Sequence, residues 1–94
     1  MSGTRSLDSA EALTVVRESI TAVVPDADFT RVRPHDRFRD VLELDSLDFL
    51  SLVEILSERA GVPIDEDDYP RLSTLADSVE FLVERTKRHE QTRR

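Results

Sequence analysis

Three stretches of this chain place apolar residues three and four positions apart, and none alternates with a period of two. That constrains the fold more than any other feature, because helix-period stripes bury themselves against other helices. The first stretch, residues 8–24, carries Leu13, Val16, Ile20 and Val23, with Ala12 and Val24 beside them. Asp8 and Glu11 have the spacing of a capping box, and Pro25 ends the hydrogen-bond ladder. The second, residues 45–60, opens on Asp45 as N-cap with Asp48 at the third helical position. Gly61 and Pro63 stop it. The third opens on Ser73 or Thr74 and puts Leu75, Val79, Leu82 and Val83 on its inner face, with fraying expected beyond Arg88.

Between these lie two connections. Residues 25–44 contain Pro25 and Pro34 and little periodicity, so they form a long loop. Phe29, Val32, Phe38, Val41 and Leu42 are available to anchor it. Residues 64–70 leave room for one short turn, closed by Pro70. The expected architecture is an all-α four-helix bundle: three main helices, a short third helix and a long first loop. A length of 94 residues allows one domain. The expected organisation is a flexible lead at 1–6, a domain at 7–88 and a basic tail at 89–94.

The chain has no cysteine, which excludes disulfides, thiolate metal sites and a cysteine nucleophile. No apolar run reaches the length of a membrane span and no signal-peptide core is present, so the expected location is cytoplasmic. A net charge of −7 argues against nucleic-acid binding, which needs clustered Lys and Arg. The charge is concentrated. Between Asp36 and Asp68 eleven acids face three bases, Arg37, Arg39 and Arg59, a local charge of −8. Such a segment serves either as a solvated face or as a docking surface for basic partners. Its densest run, Asp65-Glu66-Asp67-Asp68, lacks the spacing of a calcium loop. Counted from Asp65, Pro70 takes the place of the required glycine and Ala76 that of the required glutamate. No metal site is expected.

A wheel of the second helix separates its faces. With Leu47 at zero, Phe49, Leu52, Val53, Leu56 and Ala60 fall between about 140° and 240°. Ser51, Glu54, Ser57 and Glu58 occupy the opposite arc, with Leu47 at its centre and Leu50 at its border. Leucines ringed by carboxylates have the composition of an interface, with an apolar centre and a charged rim.

Ser46 stands between the cap Asp45 and Leu47, at a helix start that follows a long loop. A catalytic serine needs a base in reach. The two histidines, His35 in the loop and His89 in the tail, are not placed by sequence to serve Ser46. No catalytic residue is expected in this chain.

The stretch FRDVLELDSLDFLSLVEIL, followed by ERAGVPIDEDDYPRLSTLADSVEFL, resembles the acyl carrier proteins. The shared pattern is a phenylalanine, then Asp-Ser-Leu opening an amphipathic helix, a Gly-containing turn, an acidic short helix and a Ser/Thr-capped last helix. The resemblance covers residues 38–81 by motif. It implies a monomer that holds acyl or aminoacyl groups as thioesters on a 4′-phosphopantetheine arm, attached covalently to Ser46 from coenzyme A by a phosphopantetheinyl transferase. Asp45 is then the residue that assists the metal-dependent transfer. Leu47, Asp48, Leu50, Ser51, Glu54, Ser57 and Glu58 become the face that meets transferase, synthases and acyl or aminoacyl ligases through their basic patches. The region 64–72 would border a cleft for the acyl chain.

The departures are informative. Many members have glycine where Glu43 stands, and an acid common just before Leu42 is Val41 here. Ser51 and Ser57 replace acids frequent in fatty-acid carriers, which favours a specialised fatty-acid, polyketide or related pathway. The competing reading is an acidic helical adaptor that uses the same face without a cofactor.

Overall fold

The computed structural model describes residues 6–92, and side chains through Arg88. Most of the lead at 1–6 and the side chains of the tail at 89–94 lie outside the described residues. Four α-helices and two 3₁₀ helices follow in order: α1 (Ser9–Val23), η1 (Phe29–Arg31), α2 (Phe38–Val41), α3 (Ser46–Ala60), η2 (Glu66–Leu72) and α4 (Leu75–Thr92). Among the described residues β pairing amounts to one isolated bridge, Arg37 to Thr74. The chain is all-α, and η2 is the short third helix of the expected bundle.

The helix boundaries follow local chemistry. Asp8 Oδ1 accepts from the Glu11 amide at 2.8 Å, and Glu11 Oε1 accepts from the Asp8 amide at 3.1 Å, a closed capping box. Gly61 ends α3 in the left-handed region at φ 73°, which only glycine enters without steric cost. Thr74, not Ser73, caps α4: its hydroxyl accepts from the Asp77 amide at 3.0 Å. The α4 backbone stays helical to Thr92, past the expected fraying point at Arg88.

α1 packs against both α3 and α4, and η2 packs on α4. Ala12, Val16 and Ile20 of α1 meet Phe49, Leu52, Val53, Leu56 and Ala60 of α3 in one buried cluster. The stripe read from the α3 sequence is therefore the one that is buried. In α4 the buried line is rotated from the expected one. Leu75, Ser78, Phe81, Leu82 and Thr86 are buried, whereas Val79 and Val83 are half-buried. Of the two polar side chains on this face, Thr86 satisfies itself locally, whereas the buried Ser78 hydroxyl has no hydrogen-bond partner among the described residues. Thr86 Oγ1 donates to the Leu82 carbonyl at 2.7 Å and accepts from the Leu7 amide at 3.1 Å, tying the start of the domain to its last helix.

The long loop is more structured than its sequence suggests. Phe38 and Val32 are buried in the core, with Phe29, Val41 and Leu42 packed against it. Main-chain bonds dock it too: the Ala76 amide donates to the Pro34 carbonyl at 2.9 Å. These anchors wind α2 and η1 into a segment too short and aperiodic to read as helix.

The short element also runs past its expected end. Pro70 lies inside η2, which continues to the buried Leu72. A proline removes one donor, yet η2 is held from outside. Arg85 donates to both carboxylate oxygens of Asp68, at 2.9 and 3.1 Å, and to the Pro63 carbonyl at 3.0 Å. Arg71 pairs with Glu84 at 3.1 Å, and both arginines stack on Phe81. The hydrogen bond from Arg85 is the main cause that holds the Asp68 carboxyl below its ordinary value. A lowered folded pKa contributes stability that is complete above the unfolded value and lost as pH falls through the folded one. Unfolding followed by circular dichroism is expected to show the wild type losing more stability than Asp68→Asn between about pH 5 and pH 2.

Candidate functional site

The outer arc of α3 and the turn before it form one surface. Asp45 caps the helix: its Oδ1 accepts from the Asp48 amide at 2.8 Å, and Asp48 Oδ2 accepts from the Asp45 amide at 3.4 Å. Both carboxylates thereby saturate amides of the first turn, which fixes the helix start on the residue after the cap. That residue is Ser46, and it is exposed.

Glu43 sets the approach to this turn. Its φ is 56°, and it is the non-glycine residue that enters the left-handed region among the described residues. A left-handed backbone is the conformation that favours glycine, which is the residue the resemblance implies at this place. Glu43→Gly is expected to stabilise the protein by about 1 kcal/mol, measured as a higher midpoint in urea at unchanged slope.

Ser46 stands at the mouth of a cleft of about 390 Å³ between α2, the start of α3 and η2. Phe49 and Leu50 form one wall, Tyr69, Pro70 and Leu72 the other, with Arg37 and Arg39 at the rim. Phe49 and Tyr69 meet edge to face at 5.5 Å. Beyond Tyr69, a second hollow is lined by Leu50, Val53, Ile64, Glu54, Ser57 and Glu58. The region 64–72 thus borders hollows on both sides of Tyr69.

Arg39 Nη2 donates to Ser46 Oγ at 3.3 Å, and its Nε donates to the Leu44 carbonyl at 3.3 Å. A cationic donor cannot act as a base. This contact escaped the sequence because α2 was not legible as an ordered turn. The available signal was an arginine pair, Arg37 and Arg39, inside an otherwise acidic segment.

The wheel's outer residues divide by exposure. Leu47 is 74% and Leu50 45% exposed, large values for leucine. Ser51, Glu54 and Glu58 are exposed around them. Ser57 is half-buried and has a structural partner: its hydroxyl donates to the Val62 carbonyl at 2.6 Å. Asp48, half-buried, works in the cap. Among the described residues no helix is long and apolar enough to cross a membrane, and no cluster of His, Cys, Asp and Glu is placed to hold a metal.

Ser46 thus presents an exposed hydroxyl at a helix start, beside a cleft lined by apolar and charged side chains alike, with a cation next to it. Comparison with known proteins identifies the family. Residues 10–82 match the family model described as a phosphopantetheine attachment site. An acyl carrier protein of Rubrobacter xylanophilus is 35% identical over 78 residues, covering 83% of this chain and 95% of the relative. One from Acidothermus cellulolyticus is 34% identical over 83 residues, covering 86% and 95%. One from Helicobacter hepaticus is 34% identical over 68 residues, covering 69% and 90%.

Proposed function

Since the chain belongs to the phosphopantetheine-attachment family of acyl carrier proteins, we propose that Ser46 is the serine that bears its arm. The protein is a carrier of acyl groups, held as thioesters on covalently attached 4′-phosphopantetheine. When bound, that group supplies the thiol that a cysteine-free chain lacks. The carrier does not catalyse. Its own residues present the attachment point, shape the cleft beside it and offer a surface for docking.

The choice of Ser46 is supported by its place in the Asp-Ser-Leu stretch, with its hydroxyl exposed at the start of α3 beside the Phe49–Tyr69 cleft; Ser9, exposed at the start of α1 and beside another cleft, lacks that setting. In the proposed attachment, Ser46 Oγ forms a bond to the pantetheine-side phosphorus of coenzyme A. The pyrophosphate bond breaks, adenosine bisphosphate departs, and the hydroxyl proton passes to a base of the transferase. Asp45, whose carboxylate stands next to Ser46, is assigned to assist the metal that this transfer uses. Incubation with coenzyme A and a broad-specificity phosphopantetheinyl transferase, followed by intact mass spectrometry, tests the proposal. The expected result is one added phosphopantetheine per chain, located on the peptide containing Ser46.

Leu47, Leu50, Ser51, Glu54 and Glu58 form the proposed docking face for the transferase, synthases and acyl or aminoacyl ligases, with Asp48 and Ser57 at its edge. The exposed leucines supply its apolar centre and the carboxylates a rim suited to basic patches. Leu47→Ala is expected to slow phosphopantetheine transfer about tenfold while changing stability by less than about 0.5 kcal/mol. Initial rates and urea unfolding of the same sample measure both. A specialised acyl pathway and a cytoplasmic setting complete the proposal. The serines at positions 51 and 57 support the first. The absence of a membrane-crossing helix among the described residues is compatible with the second.

A further inference from the structure

We propose that Arg39 binds the phosphodiester of the arm, and so sets the direction in which the arm leaves Ser46. The inference rests on Ser46 as the attachment site and concerns what the chain does once loaded. A phosphodiester at Ser46 Oγ places a negative charge beside Asp45 and Asp48, with Asp40 and Glu43 on the preceding turn. The helix start gives limited relief, because the Asp48 and Asp45 amides already donate to carboxylates of the capping box.

Arg39 is built to supply the missing cation. Its Nη2 already reaches Ser46 Oγ at 3.3 Å. Arg39 as a whole is half-buried; its guanidinium lies 5.0 Å from the centre of the Phe49 ring, and its Nε donates to the Leu44 carbonyl. Among the described residues it forms no ion pair with a carboxylate, whereas the neighbouring Arg37 pairs with Asp40 at 3.7 Å. Esterification makes Oγ a poorer acceptor, and the charge moves to the two unesterified oxygens beside it. A planar fork held by stacking can turn one N–H to such an oxygen at little entropic cost. Because Arg39 stacks on Phe49, an anion it holds lies against the Phe49 wall of the cleft. The arm then starts along that wall instead of into solvent.

The test compares wild type, Arg39→Gln and, as a distant control, Arg59→Gln, whose arginine pairs with Glu18. Each is converted to the loaded form and checked by intact mass. Failure of the wild type to gain mass on Ser46 refutes the attachment site itself and is distinguishable from failure of this inference. With loading verified, the ³¹P resonance of the phosphodiester is expected to move in Arg39→Gln and to stay in place in Arg59→Gln. The change in melting temperature on loading is expected to be about 3 °C more favourable in wild type than in Arg39→Gln. Identical ³¹P positions in wild type and Arg39→Gln, or equal changes in melting temperature, would overturn the proposal. Should Arg39→Gln fail to fold, the Arg39 Nε–H resonance of the wild type decides: it is expected to shift on loading, and an unchanged signal refutes the contact.

Discussion

Replacing Ser46 by alanine is expected to abolish the mass gained from coenzyme A completely, while leaving the fold intact. The loss is total because the chain offers no second nucleophile in the same setting. It has no cysteine, and although Ser9 is also exposed after a capping box and beside a cleft, it lacks the Asp-Ser-Leu setting, the outward leucine and the Arg39 contact that Ser46 has. The fold survives because the cap of α3 is Asp45, and Ser46 contributes no capping bond of its own. Alanine is also the better helix former at a first-turn position. The variant should therefore retain the helical circular dichroism and urea midpoint of the wild type to within about 0.5 kcal/mol. A mass gain surviving in the variant would refute the assignment of Ser46. The same variant separates the carrier from a cofactor-free adaptor. An adaptor's partner binding would ignore Ser46→Ala and respond to Leu47→Ala, whereas a carrier loses loading with the first and loading rate with the second.

The largest effect on stability is expected for Phe81→Ala, a loss of about 4 kcal/mol. Phe81 is fully buried, and Arg71 and Arg85 lie 5.3 and 4.7 Å from its ring centre. Removing the ring leaves a cavity beneath η2 and withdraws the surface on which both guanidinium groups rest. Those groups also hold Asp68 and Glu84, so the link between η2 and α4 weakens with them. For a domain whose total stability is on the order of 5–15 kcal/mol, this is a large fraction. A fall in melting temperature of about 20 °C is expected in calorimetry. Tyr69, Pro70 and Leu72 of η2 form one wall of the cleft, so fluorescence of a cleft-bound apolar probe should weaken in the variant below its melting temperature.

How legible this was differs by element. The stripe on α3 and the exposure of Leu47 and Leu50 follow from apolar spacing, because that helix puts hydrocarbon on its inner face and charge on its outer one. α4 misled for a definite reason. Ser78 and Thr86 are polar but buried, so counting only apolar residues turned the stripe toward Val79 and Val83 and away from Phe81. The −8 segment changed meaning as well. Its carboxylates divide between caps and turns, as at Asp36, Asp45, Asp48 and Asp68, ion pairs of Asp40 to Arg37 and of Asp68 to Arg85, and exposed groups both on the outer arc of α3 and at the start of η2.

The sequence by itself determined the starts and stops of α1 and α3, the buried face of α3, the outward leucines and the candidate serine. Each depends on residues within one or two turns of one another, where capping, proline and periodicity act. Tertiary structure alone decided the rest. It wound α2 from an aperiodic loop by burying Phe38, carried η2 through Pro70 on the grip of Arg85, and set Arg39 beside Ser46. Those outcomes come from contacts between segments that share no local pattern, and only the packed chain brings their partners within reach.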